Sequence, residues 1–111
     1  MAGVLIFYEP LPSDILLAVD AEARKRDVTP YDLVREILSE RYKQKWSYSG
    51  LPYRPAGERF KLRVSQELRR RLQMDAAKND STIRGIVLST LASHYGLAPI
   101  SSGRRPRRSP A

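Results

Sequence analysis

Residues 59–68 read RFKLRVSQEL, and the spacing of the apolar residues changes within this short stretch. From Arg59 to Val64 charged and apolar residues alternate strictly, which is the period of a strand with one buried and one exposed face. Ser65 follows, and its hydroxyl is suited to cap the first turn of a helix. The stretch therefore predicts a short amphipathic strand that leads directly into a helix.

Two helices are predicted after this strand. Leu68, Leu72 and Ala76 recur at a spacing of four and form the apolar stripe of the first helix. The polar run Asn-Asp-Ser-Thr at 79–82 ends that pattern and can cap the next helix. Gly96 suits the end of the second helix, whose apolar stripe consists of Ile83, Ile86, Val87, Leu91 and Tyr95.

Residues 1–43 show the same order of elements. A β-favouring run at 4–8 is followed by a helix pattern opening at Ser13, and Thr29 and Pro30 provide the N-cap and first residue of a second helix. The apolar positions of the two halves coincide at an offset of 53 residues: Ile15 with Leu68, Val19 with Leu72, Ala23 with Ala76, Thr29 with Thr82, Val34 with Val87, Leu38 with Leu91 and Tyr42 with Tyr95. The sequence therefore contains an internal repeat of strand, helix and helix.

One such unit cannot close a core, because its single strand has two unpaired edges. Two units can pair residues 3–8 with 59–64 in an antiparallel ribbon above four helices. The expected fold is mainly α with a short antiparallel β-ribbon, in which the tandem units form an intramolecular pseudo-dimer. The expected division is a first unit at 1–43, a linker at 44–57, a second unit at 58–98 and a basic disordered tail at 99–111. The linker should pack on the core through Trp46, Tyr48 and Tyr53.

Composition restricts the function. The chain of 111 residues carries 20 Lys and Arg against 12 Asp and Glu, a net charge of +8, and the excess lies after residue 43. Such a distribution favours a polyanionic partner. The absence of Cys excludes thiol chemistry, and one His cannot form a histidine metal cluster. Without a phosphate-binding glycine loop or nucleophile motif, we expect no enzyme activity and no cofactor.

No membrane segment is expected, since the longest apolar runs fall far below the ~20 residues that a bilayer requires. Glu9, Pro10 and Pro12 interrupt any signal-peptide core near the N-terminus. These features predict a cytoplasmic protein.

The layout of residues 3–96 resembles the ribbon-helix-helix superfamily of the Arc and MetJ repressors. RFKLRVSQELRRRLQMDAAKNDST at 59–82 is similar to the basic ribbon, first helix and turn of that family, and VDAEARKRDVTPYDLVREILSERY at 19–42 is similar to its two helices. The resemblance implies that the ribbon reads bases in the DNA major groove through Arg59, Lys61 and Arg63. It also implies phosphate contacts at the N-termini of the second helices, from Ser81, Thr82, Ile83, Thr29 and Tyr31.

The first ribbon strand departs from this pattern, because residues 1–12 contain no Lys or Arg. The repeat offset aligns Ile6 with Arg59 and Tyr8 with Lys61, although it can slip by one residue here. This strand either contacts thymine methyl groups through apolar or tyrosine side chains, or only supplies a pairing partner. The DNA-binding surface of one chain would then be lopsided, and a non-palindromic half-site is the expected consequence.

Two further features concern binding. The tail cations Arg104, Arg105, Arg107 and Arg108 are expected to follow the DNA backbone or to act as a solubilising end. Arg69, Arg70 and Arg71 lie off the apolar stripe and are interpreted as a solvated face.

The sequence therefore predicts a sequence-specific double-stranded DNA-binding protein, a transcriptional repressor associated with the nucleoid. Self-association on adjacent DNA sites is a possible addition to this prediction. The alternative is an antitoxin-type or plasmid conjugation or partition accessory protein that also binds a protein partner. An antitoxin tail needs apolar anchors, and the segment after Gly96 offers only Leu97 and Ile100. Binding of RNA or single strands would need an exposed aromatic platform, for which only Trp46, Tyr48 and Tyr53 are candidates.

Overall fold

The computed structural model describes residues 3–55 and 59–97. In chain order the elements are β1 (Val4–Glu9), α1 (Ser13–Arg26), α2 (Pro30–Arg41), β2 (Phe60–Val64), α3 (Gln66–Lys78) and α4 (Ile83–His94). The two strands pair antiparallel in a two-stranded sheet. The predicted class, mainly helical with a short antiparallel ribbon, is confirmed. None of these four helices has the length and apolar character needed to cross a bilayer.

The β2 strand has the two faces that its alternation predicts. Phe60, Leu62 and Val64 are each no more than 2% exposed, whereas Lys61 and Arg63 are exposed. Ser65 then accepts a hydrogen bond from the backbone N–H of Leu68, 3.1 Å away, and caps α3 as expected. The alternation of burial along β2 thus identifies the face of Lys61 and Arg63 as the one that points away from the core.

The β1 strand is irregular. Val4 pairs with Val64 and Leu5 with Arg63, but the next pair is Phe7 with Leu62, so Ile6 is an extra residue that forms a bulge. Gly3 precedes the strand, where a Cβ would lie 2.5 Å from the carbonyl oxygen of Val64. Only glycine permits this close approach of the two backbones.

The helix ends repeat between the two halves at the offset of 53 residues. Asp27 and Asp80 both adopt positive φ values, 57° and 53°, where α1 and α3 end. Thr29 caps α2 by accepting from the N–H of Asp32, and Thr82 caps α4 by accepting from Gly85. The turn sequences of both halves therefore terminate and restart the helices in the same way.

The core lies between the inner face of the ribbon and the four helices. It contains the predicted stripes of both halves and joins them in one cluster, with Ile15, Val19, Leu33, Leu38, Leu62, Leu72, Val87 and Leu91 all fully buried. Leu88 is also buried, although the predicted stripe of α4 did not include it. Because both halves contribute to one cluster, neither has a separate core among the described residues.

Two reciprocal hydrogen bonds link the halves. The hydroxyl of Tyr42 donates to Asp75, and the hydroxyl of Tyr95 donates to Glu22, each over 2.6 Å. Tyr95 and Asp75 stand 53 residues after Tyr42 and Glu22 respectively, so the same contact is made in both directions. Arg41 bonds Asp75 over 2.8 Å, and at the matching position Nε2 of His94 lies 3.8 Å from Glu22.

Residues 44–55 contain no helix or strand and lie against the first half. Tyr53 is partly buried against the core, and Trp46 is half-buried, as expected, but Tyr48 is 37% exposed. The three rings lie beside guanidinium groups of α1 and α2, with centroid distances of 5.3 to 5.7 Å: Arg24 at Tyr53, Arg26 at Tyr48 and Arg35 at Trp46. Contacts between cations and aromatic faces, together with the hydrogen bonds from Ser49 to Asp32, therefore position this segment.

Candidate nucleic-acid interface

The outer face of the ribbon is a row of four side chains from two strands. Lys61 and Arg63 come from β2, and Leu5 and Tyr8, 39% and 49% exposed, come from β1. They face one another in two cross-strand pairs, Leu5 with Arg63 and Tyr8 with Lys61. On the opposite face Phe7, Phe60, Leu62 and Val64 are buried in the core, which gives these outer side chains a packed base.

Tyr8 lies between two cations. The Arg59 guanidinium carbon is 5.5 Å from its ring centroid, and Nζ of Lys61 is 5.3 Å from it on the neighbouring strand. An exposed cation–π contact contributes about 0.5–1 kcal/mol of interaction free energy. The ring therefore restricts both cations without neutralising them, and their positive charge stays available to an anion.

Arg35 of α2 supports the outer edge of β2. Its Nε donates to the carbonyl oxygen of Arg63 over 2.5 Å, and its Nη1 pairs with Asp32 over 2.8 Å. Asp32 is 1% exposed and also accepts from the backbone and hydroxyl of Ser49. A buried carboxylate normally needs such partners. The pair ties the ribbon, α2 and the segment after α2 together.

A cleft of about 520 Å³ opens between this segment and β2. Its cationic lining comes from Arg54, Lys61, Arg63 and Arg35, and Asp32 is the single acid among its lining residues. Apolar walls are formed by Tyr31, Leu51 and Pro52. The cleft continues the positive outer face of the ribbon to one side, next to the N-terminus of α2.

The N-termini of α2 and α4 differ in their surroundings. The first turn of α4 contains no acid, and Thr82 is exposed there, with Ser81 and Ile83 half-buried. In α2, Thr29 is only 7% exposed, and the ring of Tyr31 stacks on Phe60 at 4.7 Å between centroids. Backbone N–H groups at a helix start favour anions. At α4 the N–H of Gly85 is already bonded to the Thr82 hydroxyl and the N–H of Ser81 to the carbonyl of Ala76, so neither of these two is available to an anion. The first turn of α2 contains Pro30 and a buried acid.

The predicted base-reading residues lie together. Lys61 and Arg63 project from the outer face, and Arg59 is exposed one residue before β2 begins. The predicted phosphate-binding residues fall into two places, since Ser81, Thr82 and Ile83 are at α4, and Thr29 and Tyr31 border the cleft at α2. The tail residues Arg104, Arg105, Arg107 and Arg108 lie outside the described residues.

Three residues of this interface were not predicted from the sequence, and one residue was placed on the wrong face of the ribbon. Arg54 and Arg35 were assigned no binding or supporting role, and Leu5 was not expected on the outer face. The repeat offset instead placed Ile6 there, but the bulge turns Ile6 partly into the core. The offset of 53 residues therefore holds at Tyr8, which is exposed like Lys61, and fails at Ile6, where the bulge lies. Glu9, aligned with buried Leu62, is half-buried and pairs with Arg84 over 2.5 Å.

The three aromatic residues after α2 do not form an open platform. Each ring is in contact with an arginine, and Tyr48 also donates its hydroxyl to Glu36. Single-stranded bases stack on free aromatic faces. This arrangement therefore does not favour the single-strand alternative. Comparison with family models, with curated proteins and with solved structures gave no match for this chain.

Proposed function

We propose that this chain is a sequence-specific double-stranded DNA-binding protein of the ribbon-helix-helix type that acts as a transcriptional repressor. The observation that carries the proposal is the outer face of the ribbon, where Lys61 and Arg63 are exposed on a strand whose other face is buried. A two-stranded ribbon fits a B-DNA major groove, which is about 12 Å wide. Arg and Lys side chains are suited to the O6 and N7 acceptors of guanine.

The proposal includes the tandem pseudo-dimer. Its support is the reciprocity of the contacts between the halves: Tyr42 to Asp75 and Tyr95 to Glu22. A contact in which each half supplies the same donor and acceptor to the other is the signature of a two-fold interface. The shared core supports the same arrangement, in which one chain supplies both ribbon strands.

Phosphate contacts would flank the ribbon. On the β2 side the cleft brings Arg54 next to the ribbon cations, and on the β1 side the start of α4, whose first turn contains no acid, would present its helix N-terminus to a phosphate. Phosphate contacts position a protein on the duplex, whereas base contacts specify the sequence. The two classes of residue can therefore be separated by experiment.

The test is selection of duplexes from a random library with the full chain, followed by titration of variants on the selected site. We expect Lys61→Ala and Arg63→Ala each to reduce the preference for the selected site over a scrambled duplex by roughly 5- to 150-fold, the range of a bidentate base contact. Arg54→Ala should weaken binding to both duplexes equally and lower the salt dependence by about one counterion.

Arg71→Ala is the matched control, since this exposed arginine of α3 lines a groove with Tyr42 and Met74 on another part of the surface. It removes the same charge away from the ribbon and should leave the preference unchanged. Enrichment of no particular sequence would refute specific recognition. Equal effects of Arg63→Ala and Arg71→Ala would show that only net charge matters.

A further inference from the structure

The two strands of the ribbon present different chemistry on the same outer face. Its two cations both project from β2, and directly opposite them β1 presents Leu5 and Tyr8. Glu9, at the end of β1, is held by Arg84 beside α4. The outer face is therefore cationic along one strand and apolar or aromatic along the other, although the halves are otherwise related by a repeat.

The bulge in β1 places the apolar side chain of Leu5 on the outer face of the ribbon. Counting back from buried Phe7, a regular strand would place Leu5 on the inner face and Ile6 on the outer face. The extra residue reverses this order, so Leu5 is 39% exposed and Ile6 packs against the core. Bulges commonly redirect a side chain in this way. The exposed leucine thus stands beside Arg63, and Tyr8 stands beside Lys61.

We propose that a single chain reads a non-palindromic duplex, in which β2 contacts guanine edges and Leu5 and Tyr8 contact thymine methyl groups. The inference rests on the proposed function and adds the specificity of each strand. The thymine methyl is the one apolar group that a base pair offers in the major groove. An exposed leucine finds a favourable partner there, since burial of each methyl removes apolar surface from water on both sides.

The first arm of the test is the symmetry of the selected site, using duplexes trimmed until they bind one chain. We expect guanines on one side of the site and T·A pairs on the other, with no dyad. A palindromic site bound by one chain would overturn this inference while leaving specific DNA binding intact. Absence of any preferred sequence would overturn both proposals, so the two failures are distinguishable.

The second arm replaces single thymines by uracil, which removes the methyl group and keeps every hydrogen-bonding atom. Each replacement on the side facing β1 should weaken binding about fourfold, the value for one buried methyl-sized group. The same replacement at a T·A pair that flanks the selected site serves as the matched control and should change nothing. Leu5→Ala should remove the uracil effect at one position, and because Leu5 is exposed this variant keeps the core intact. Equal binding of thymine and uracil duplexes by the unmodified chain would show that β1 only supplies a pairing strand.

Discussion

The tyrosine hydroxyls that join the two halves give a quantitative test of the closed single-chain core. Replacing Tyr95 by Phe removes one hydroxyl and leaves the ring in place. Its acceptor, Glu22, is 28% exposed and retains Arg26 at 3.2 Å and His94 at 3.8 Å. Asp75, the acceptor of Tyr42, is 15% exposed and retains Arg41 at 2.8 Å and Asn79 at 2.6 Å. Tyr95→Phe therefore leaves its carboxylate with weaker partners than Tyr42→Phe does.

The magnitude follows from these partners. A hydrogen bond to a charged group contributes about 1.5–3 kcal/mol to stability. Partial exposure of Glu22 places Tyr95→Phe near the lower end, about 1.5 kcal/mol, and the remaining partners of Asp75 reduce the effect of Tyr42→Phe to about 0.5–1 kcal/mol. For a domain of this size, 1.5 kcal/mol corresponds to a fall in Tm of roughly 6–12 °C.

Thermal and urea unfolding at pH 7 measure both variants. Tyr53→Phe is the matched control, because the Tyr53 hydroxyl has no hydrogen-bond partner within residues 3–55 and 59–97, and it should change stability by less than about 0.5 kcal/mol. Stability of Tyr95→Phe within that margin of the unmodified chain would refute the argument that these reciprocal bonds hold the halves together. A larger loss for Tyr42→Phe than for Tyr95→Phe would refute the ranking of the two carboxylates.

Four further outcomes are expected. The hydrogen bond from Tyr42 holds the pKa of Asp75 below 3.8, and hydrogen bonds from Tyr95 and Arg26, which together outweigh burial, hold the pKa of Glu22 below 4.5. Because both carboxylates have depressed pKa values in the folded state, their contribution to the free energy of unfolding is complete above about pH 5 and is lost as the pH falls further. Urea titrations at several pH values measure this loss. Burial raises the pKa of Tyr42 from 10.0 to about 12, so the stability contributed by its neutral hydroxyl is lost as the pH rises between those values. The increase in tyrosinate absorbance should therefore accompany unfolding. Gly3→Ala should destabilise the chain by about 1–3 kcal/mol in urea unfolding, because its Cβ meets the carbonyl of Val64, and an unchanged midpoint would contradict the close approach. If one chain closes its own core, its Tm should not depend on protein concentration, and a rise on concentration would indicate a core shared between chains.

Local patterns predicted much of the architecture. The alternation at 59–64 fixed the two faces of β2 because a strand places successive side chains on opposite sides. Ser65, Thr29 and Thr82 marked the helix starts because their hydroxyls satisfy backbone N–H groups that have no partner within the helix. The pairing of 3–8 with 59–64 followed from the two open edges that isolated strands would have.

The details of the interface could not be predicted in this way. The bulge at Ile6 has no local sequence signal, since it depends on how β1 aligns with a strand more than fifty residues away. The role of Arg54 depends on the path of residues 44–55 across α1 and α2, which is set by Ser49 and three aromatic contacts. Both features arise from contacts between segments distant in sequence.

The sequence by itself determined the elements, their order, the repeat and the cationic face of β2, because periodicity, capping and charge are properties of neighbouring residues. Only the tertiary structure decided that Leu5 faces outward, that Arg35 supports the edge of β2 and that the halves exchange equivalent hydrogen bonds. The physical reason is that register and side-chain partners are chosen by the packing of the whole core, where a shift of one residue reverses the faces of a strand.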